Sequence, residues 1–293
     1  MSNLTPKISI VVVTYNSGKY VTETLDSIAN QSYTGEIQLI VSDDCSQDDT
    51  VLICKNWLKD HKDRFPDATI ISSTSNTGIS GNYNRALKEV NGLWVKYIAG
   101  DDILTPDCIR EFVAETSLTD DKFIMCRLQP FDSDGDKAPR MRAEGIMECD
   151  VKGQEKVLSE LSYIIEGPSF FLETATLRQL GAFDEAYPYV EDWPLAMKYA
   201  YNGYHIHLLK KELVRYREYQ SVSKEGSIYY QKFWWCCYAS LNDWRMRIAK
   251  RDKEYMAWWH ARVQRYLLDI PKTGLFNKLV RYMLMATDLK RFL

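Results

Sequence analysis

No run of apolar residues in the chain approaches the ~20 that a membrane-spanning helix needs. The short apolar segment near the N-terminus has no small-residue cleavage site behind it, so no secretory signal is expected. Cysteine is sparse: Cys45, Cys54, Cys108, Cys126, Cys149, Cys236 and Cys237 are seven, an odd number without CxxC spacing. That pattern argues against a disulfide framework or a zinc site and for reduced thiols in the cytoplasm. GxGxxG after the first strand, a GxxxxGK phosphate loop and GxSxG are all missing, which removes the dinucleotide fingerprint, the P-loop and the nucleophile elbow. The four histidines (His61, His205, His207 and His260) form no HExxH, and His205 and His207 alternate on a predicted strand where a structural role is expected. There is no internal repeat and no low-complexity linker.

What is present is ordinary in amount and uneven in placement. With 293 residues, 45% of them hydrophobic and 26% charged, the chain suits one large α/β domain plus an appendage, or two small domains. The net charge of −3 conceals a division: residues 227–293 hold 13 Lys and Arg against 5 Asp and Glu, a surplus of +8 set against −11 on the rest. Five of the eight tryptophans (Trp234, Trp235, Trp244, Trp258 and Trp259) lie in that same tail.

Short β-branched runs alternate with helical spacing through the first hundred residues. Strands are predicted at 8–13, 37–42, 69–73 and 93–98, with helices at 19–30, after Asp48-Asp49, near 80–90 and from Pro106. This is the signature of βαβ units and a mainly parallel sheet with helices on both faces. Farther on, 123–127, 169–172 and 206–209 read as strands, 132–136 as a hairpin tip, 152–165 and 191–202 as helices, and 228–268 as amphipathic helices broken at Pro271.

In such sheets ligands bind beyond the carboxyl ends of the strands. Polar groups follow three of them: Thr14-Tyr15-Asn16, Asp43-Asp44, and Asp101-Asp102 behind Gly100. Asp101-Asp102 offers hard oxygen ligands for a divalent cation, although the pair alone favours the ordinary acidic start of a helix. Asp43-Asp44 suits a base edge or ribose hydroxyls, or a plain cap. Tyr15 is able to lie against a base. Glu191-Asp192 opens a late helix, either as a general base for a hydroxyl or as an N-cap. The placement of the first three behind strands of one predicted sheet argues against coincidence, though none is decisive alone.

Four segments in order closely resemble the nucleotide-binding half of family-2 glycosyltransferases, which have the GT-A fold: Ile-Ser-Ile-Val-Val-Val-Thr-Tyr-Asn at 8–16, Val-Ser-Asp-Asp-Cys-Ser-Gln-Asp-Asp-Thr at 41–50, Asn-Thr-Gly-Ile-Ser-Gly-Asn-Tyr-Asn-Arg-Ala-Leu at 76–87, and Ile-Ala-Gly-Asp-Asp at 98–102. Leu-Gly-Ala-Phe-Asp-Glu at 180–185, followed by Glu191-Asp192-Trp193, resembles the family's acceptor-side motif. Tyr216-Arg217 with Ser221 and Ser223 resembles the segment that closes over the diphosphate. The resemblance implies an α/β protein of GT-A type: a Rossmann-like, mainly parallel sheet flanked by helices, with a C-terminal helical extension. Its catalytic domain would span 1–226, divided into a nucleotide-sugar half (1–102) and an acceptor half (103–226), with 227–293 as the extension.

By position the resemblance implies that Thr14, Tyr15 and Asn16 border the nucleoside and that Asp44, with Asp43 nearby, meets the base. Gly78, Asn84 and Arg85 would shape the donor pocket, Arg217 would face the diphosphate, and Asp102 with Asp101 would hold Mn²⁺ or Mg²⁺. Asp192 falls at the general base, with Glu191 beside it. The activity implied is inverting transfer of a hexosyl or N-acetylhexosaminyl group from a nucleotide sugar, UDP above all, to an acceptor hydroxyl in bacterial surface polysaccharide biosynthesis. Three positions depart from the family's habit: Ala99 where an acidic residue is common, Tyr83 where Arg is usual, and Tyr219 where His is common.

The basic, aromatic tail has the composition of an interfacial membrane segment, or of helices that pack on the acidic body or make a homo-oligomer. The expected location is cytoplasmic, peripheral on the membrane's cytoplasmic face, with a saccharide or lipid-linked saccharide as acceptor. No nucleic-acid module is visible. Two other classes share the motifs: a non-catalytic nucleotide-sugar-binding or scaffold protein, and a metal-dependent nucleotidyltransferase.

Overall fold

The computed structural model describes residues 5–140, 142, 144–160, 165–218, 228–270, 273–275 and 277–280. The first half follows the predicted alternation: β1 (Ile8–Thr14), α1 (Val21–Ala29), β2 (Ile37–Asp43), α2 (Thr50–Asp60), β3 (Ala68–Ser72), α3 (Gly78–Leu87) and β4 (Trp94–Ala99). Every residue of β1 and β2 is buried, because both faces of the sheet are covered. Ile10 and Val12 enter one core while Val11 and Val13 enter the other, the two-residue alternation of a strand. α1 places Val21, Thr24, Leu25 and Ile28 inward at helical spacing.

The second half adds β5 (Ile103–Leu104), α4 (Cys108–Glu115), β6 (Phe123–Asp132), β7 (Gly135–Asp136), α5 (Glu144–Met147), α6 (Val151–Leu158), β8 (Phe170–Glu173) after a 3₁₀ turn at Gly167–Ser169, α7 (Thr174–Gln179), α8 (Asp192–Tyr201) and β9 (Ile206–Arg217). The nine-stranded sheet runs β3-β2-β1-β4-β8-β6-β9-β5, with β7 paired to β6. The β3-β2-β1-β4 part is parallel, whereas β8 runs antiparallel to both β4 and β6. The sheet is thus parallel where the sequence repeats βα and mixed where it does not.

Two strands are longer than their apolar runs. β9 extends from the expected 206–209 to Arg217, and β6 from 123–127 to Asp132, because each pairs with the other past a register shift at Arg127. Asp132–Asp136 forms the expected hairpin tip, with Gly135 at φ +114. The helix expected at 152–165 ends at Leu158.

α9 (Ile228–Arg251) and α10 (Tyr255–Asp269) form an antiparallel pair. α9 sends Cys236, Cys237, Ala239, Leu241 and Trp244 into the core that also contains Trp193 and Met197. The break between the two helices falls at Lys253, whose φ is +62; Pro271, where the sequence suggested a break, lies outside the described residues.

Candidate active site

The ends of β1, β2 and β4 are fastened side by side. Thr14 Oγ1 donates to Asp43 Oδ1 at 2.8 Å, the Asp44 N–H reaches Thr14 O, and the Gly100 N–H reaches Val13 O. A Cβ on Gly100 would lie 2.8 Å from Thr14 Cγ2, so glycine permits this approach. Asn16 adopts φ 53 and caps the next turn by accepting from the Gln47 N–H at 2.8 Å. Tyr15 is left 51% exposed at the rim.

Asp44 is buried and engaged on all sides. Oδ2 accepts the Thr77 and Gly78 N–H groups, both at 2.9 Å, while Oδ1 accepts Thr77 Oγ1 at 2.7 Å and Arg85 Nη2 at 2.8 Å. Four partners fill the acceptor sites of a carboxylate, so in this structure Asp44 holds the start of α3 onto β2. Gly78 makes the turn at φ +78, against the Pro188 carbonyl, where a Cβ would lie at 2.7 Å. Arg85 also donates to Asn82 Oδ1 at 2.9 Å, and Asn82 Nδ2 donates to Ser42 O. Asn84 reaches the other way: its Nδ2 donates to Phe183 O and Glu185 Oε1, and its Oδ1 accepts the Phe183 N–H. It ties the acceptor-side loop to α3. Replacing Asp44 by Ala leaves the Thr77 N–H without its acceptor and removes the carboxylate from Arg85, which keeps Asn82 Oδ1 and Thr77 Oγ1, so stability should fall by about 2 kcal/mol. A urea titration checks this, with exposed Asp49→Ala as a control expected within about 0.5 kcal/mol of the parent.

The Asp101-Asp102 motif sits against the end of β9. Asp102 is 1% exposed. Its Oδ1 accepts the Arg217 N–H at 2.9 Å, and its Oδ2 is buried with no hydrogen-bond partner. Burial, then the charge of Asp101, pushes the Asp102 carboxyl well above the usual range. An orphaned hard oxygen beside a second carboxylate is the arrangement a divalent cation would satisfy, so Asp101 and Asp102 fit one. Among the described residues no group of three or more His, Cys, Asp or Glu could hold a metal. The remaining ligands would come from diphosphate and water. The Arg217 guanidinium is packed between Tyr20 and Phe131, at 4.2 Å and 4.5 Å from their centroids, and pairs with Glu23 at 2.6 Å. Its Nε donates to Asp101 O. Tyr219, Ser221 and Ser223 lie outside the described residues.

Glu191 and Asp192 begin α8. Burial, then the charge of Asp192, pushes Glu191 upward. Burial likewise raises Asp192, while the Trp193 N–H, donating to Asp192 Oδ1 at 2.6 Å, opposes the rise. The buried Tyr83 phenol is raised first by burial and then by Glu191, Tyr97, Asp102 and Asp192. Three of the predicted carboxylates, Glu191, Asp102 and Asp192, therefore act on one side chain.

Three residues of this region carried no motif. Lys96 is fully buried in β4 and donates to Tyr97 O at 3.2 Å and to Pro168 O, joining β4 to the turn before β8. A lysine inside an otherwise apolar strand was the available signal. Glu166, 6% exposed, pairs through Oε1 with Arg140 at 2.7 Å and leaves Oε2 buried without a partner. Its charge raises Asp192. Nothing in the spacing of Glu166 or Arg140 announced this.

Residues 9–179, more than half of the chain, match the model of Glycosyl transferase family 2. The poly(ribitol-phosphate) β-N-acetylglucosaminyltransferase TarS of Staphylococcus aureus is 32% identical over 109 residues, which are 37% of this chain and 18% of that protein. The chain thus corresponds to a minor part of that relative's length. A crystal structure of S. aureus TarS 1-349 with UDP-GlcNAc superposes with a TM-score of 0.63 at 19% identity, covering 98% of this chain and 89% of that one. A mannosyltransferase from Pyrobaculum calidifontis, in complex with GDP-Man and Mn²⁺, superposes with a TM-score of 0.57 at 20% identity, covering 97% of this chain and 69% of that one. These likenesses establish the GT-A fold, with a mixed sheet and a helical C-terminal region. The chain belongs to glycosyl transferase family 2.

Proposed function

We propose that the chain is an inverting glycosyltransferase that passes a sugar from a UDP-sugar to an acceptor hydroxyl in bacterial surface polysaccharide assembly. The observation that carries this reading is the buried, unpartnered Oδ2 of Asp102 beside a second carboxylate; the raised carboxyls of Glu191 and Asp192 support it. The TarS relative, by name, transfers N-acetylglucosamine to poly(ribitol phosphate), which supports a polymeric hydroxyl acceptor, and the TarS structure with UDP-GlcNAc supports a UDP donor. Thr14, Tyr15 and Asn16 would line the nucleoside, on a frame of Asp43, Asp44, Gly78, Asn84 and Arg85, with Arg217 behind the diphosphate. Mn²⁺ or Mg²⁺ at Asp101-Asp102 would neutralise diphosphate charge and ease its departure. Asp192 would take the proton of the acceptor hydroxyl as that oxygen attacks from the face opposite the leaving group. Gly167 keeps the approach open: a Cβ there would lie 3.0 Å from Glu191 Oε1. The protein would work in the cytoplasm, peripheral at the membrane face, on a saccharide or lipid-linked saccharide.

Thermal-shift titration with UDP-, GDP-, CDP- and dTDP-sugars, with and without Mn²⁺, tests the donor half directly. A ligand that binds only the folded chain raises Tm by mass action, by about 2.7 kcal/mol of stability at a hundred times its Kd. The expected result is a Mn²⁺-dependent shift with UDP-sugars. No shift with any nucleotide sugar would remove the proposal.

A further inference from the structure

The hairpin between α9 and α10 is built unlike a solvated turn. Residues 250–256 are all exposed, and among them Tyr255 is 78% and Met256 41% exposed, where polar residues would cost nothing. One turn away lies a cleft of about 330 Å³ lined by Asp243, Met246, Arg247, Lys250 and Trp258. Its charges are uneven. Asp243 is already held by the Tyr187 hydroxyl and by Arg265. Arg251 is held by Glu155 and Asp252. Arg247 and Lys250 have no ion-pair partner among the described residues, and Arg247 only lies over the Trp244 ring. Two uncompensated cations in a cleft edged by indole, beside exposed tyrosine and methionine, match an anionic bilayer surface: phosphate for the cations, the headgroup boundary for the aromatic rings.

We infer that the α9–α10 hairpin tip is a membrane-docking surface selective for anionic phospholipid, with Arg247 and Lys250 receiving the headgroup phosphate and Tyr255 and Met256 entering the interface. This rests on the peripheral placement proposed above and names the part of the chain responsible. None of the four residues belongs to the nucleotide site. The hairpin cannot span a bilayer, since no described helix is long and apolar enough.

Co-sedimentation of the full chain with vesicles tests it, using phosphatidylcholine alone or mixed with phosphatidylglycerol, at about 0.1 M and about 0.5 M salt. The expected result is binding to the mixed vesicles only, weakened by salt. Each cation near such a surface changes partitioning about fivefold, so Arg247→Gln with Lys250→Gln should weaken binding on the order of 25-fold. Tyr255→Ser with Met256→Ser should also release the protein. Both double variants should keep the UDP-sugar thermal shift of the parent, which separates loss of docking from failure of the donor reading. Sedimentation unchanged by vesicles, or double variants that bind like the parent, would overturn the inference. So would a homodimer in light scattering that Tyr255→Ser with Met256→Ser dissociates, since the tip would then be an interface between copies.

Discussion

Replacing Asp192 by Asn should lower transfer by roughly 10²–10⁴-fold, the range a positioned general base contributes, while UDP-sugar binding stays within about twofold of the parent. The substitution keeps the side chain's shape, and Asn Oδ1 can still accept the Trp193 N–H, so the start of α8 is not disturbed. What disappears is the capacity to accept a proton. Stopped assays of transfer, alongside thermal shift for the donor, separate the two quantities. Full transfer by Asp192→Asn would mean that another group takes the proton.

The same motif sets a pH dependence whose sign can be worked out. Glu191 and Asp192 both titrate above the ordinary carboxylate range in the folded chain, chiefly through burial, and such neighbours lose their protons as a coupled pair. The base must be ionised to act, so kcat/KM should rise with pH along an acid limb lying above the ordinary Asp value of about 4. Stability should run the opposite way. Because the folded state binds these protons more tightly than the unfolded chain, stability falls as pH climbs from the ordinary carboxylate range through the raised values. Urea midpoints across that window should decline in the parent and decline less in Glu191→Gln and Asp192→Asn. A parent that becomes more stable over the window would contradict the burial of this pair.

Asp102→Asn should produce opposite changes in stability and function. With donor and Mn²⁺, transfer should drop on the order of 10³-fold, since a cation held there as proposed would supply several kcal/mol of charge stabilisation at the leaving group, and the Mn²⁺-dependent part of the donor thermal shift should vanish. Without ligands the variant should be more stable than the parent by about 1 kcal/mol. Asp102 buries a carboxylate with one oxygen unpartnered, an arrangement that costs stability until something positive satisfies it. Asn removes the charge and can still accept the Arg217 N–H. A variant less stable than the parent and still responsive to Mn²⁺ would show that Asp102 is a structural residue.

Much of the site was legible because its residues follow strands. The runs ending at Thr14, Asp43 and Ala99 are short and almost wholly buried, so their alternation with helical spacing identified the parallel layer and its carboxyl edge from local pattern. Asp101, Asp102 and Asp192 could be singled out because each lies in a contiguous segment that resembles a family motif, whereas the local pattern alone left each readable as an ordinary helix start. The later strands were read too short. β6 and β9 continue past their apolar cores because each completes the other's hydrogen bonds, and pairing partners distant in sequence leave no periodic trace in either segment.

The sequence by itself determined the alternation of strands and helices in the nucleotide half, the family and the acidic groups at its edge, since these depend on hydrophobic period and on motifs contiguous in the chain. Tertiary structure alone decided how those groups are used. It committed Asp44 to Arg85 and the Thr77-Gly78 backbone, left one oxygen of Asp102 without a partner, raised Asp192 by enclosure and brought in Glu166 with Arg140. Desolvation and hydrogen-bond satisfaction depend on which segments surround a side chain, and long-range packing sets those surroundings.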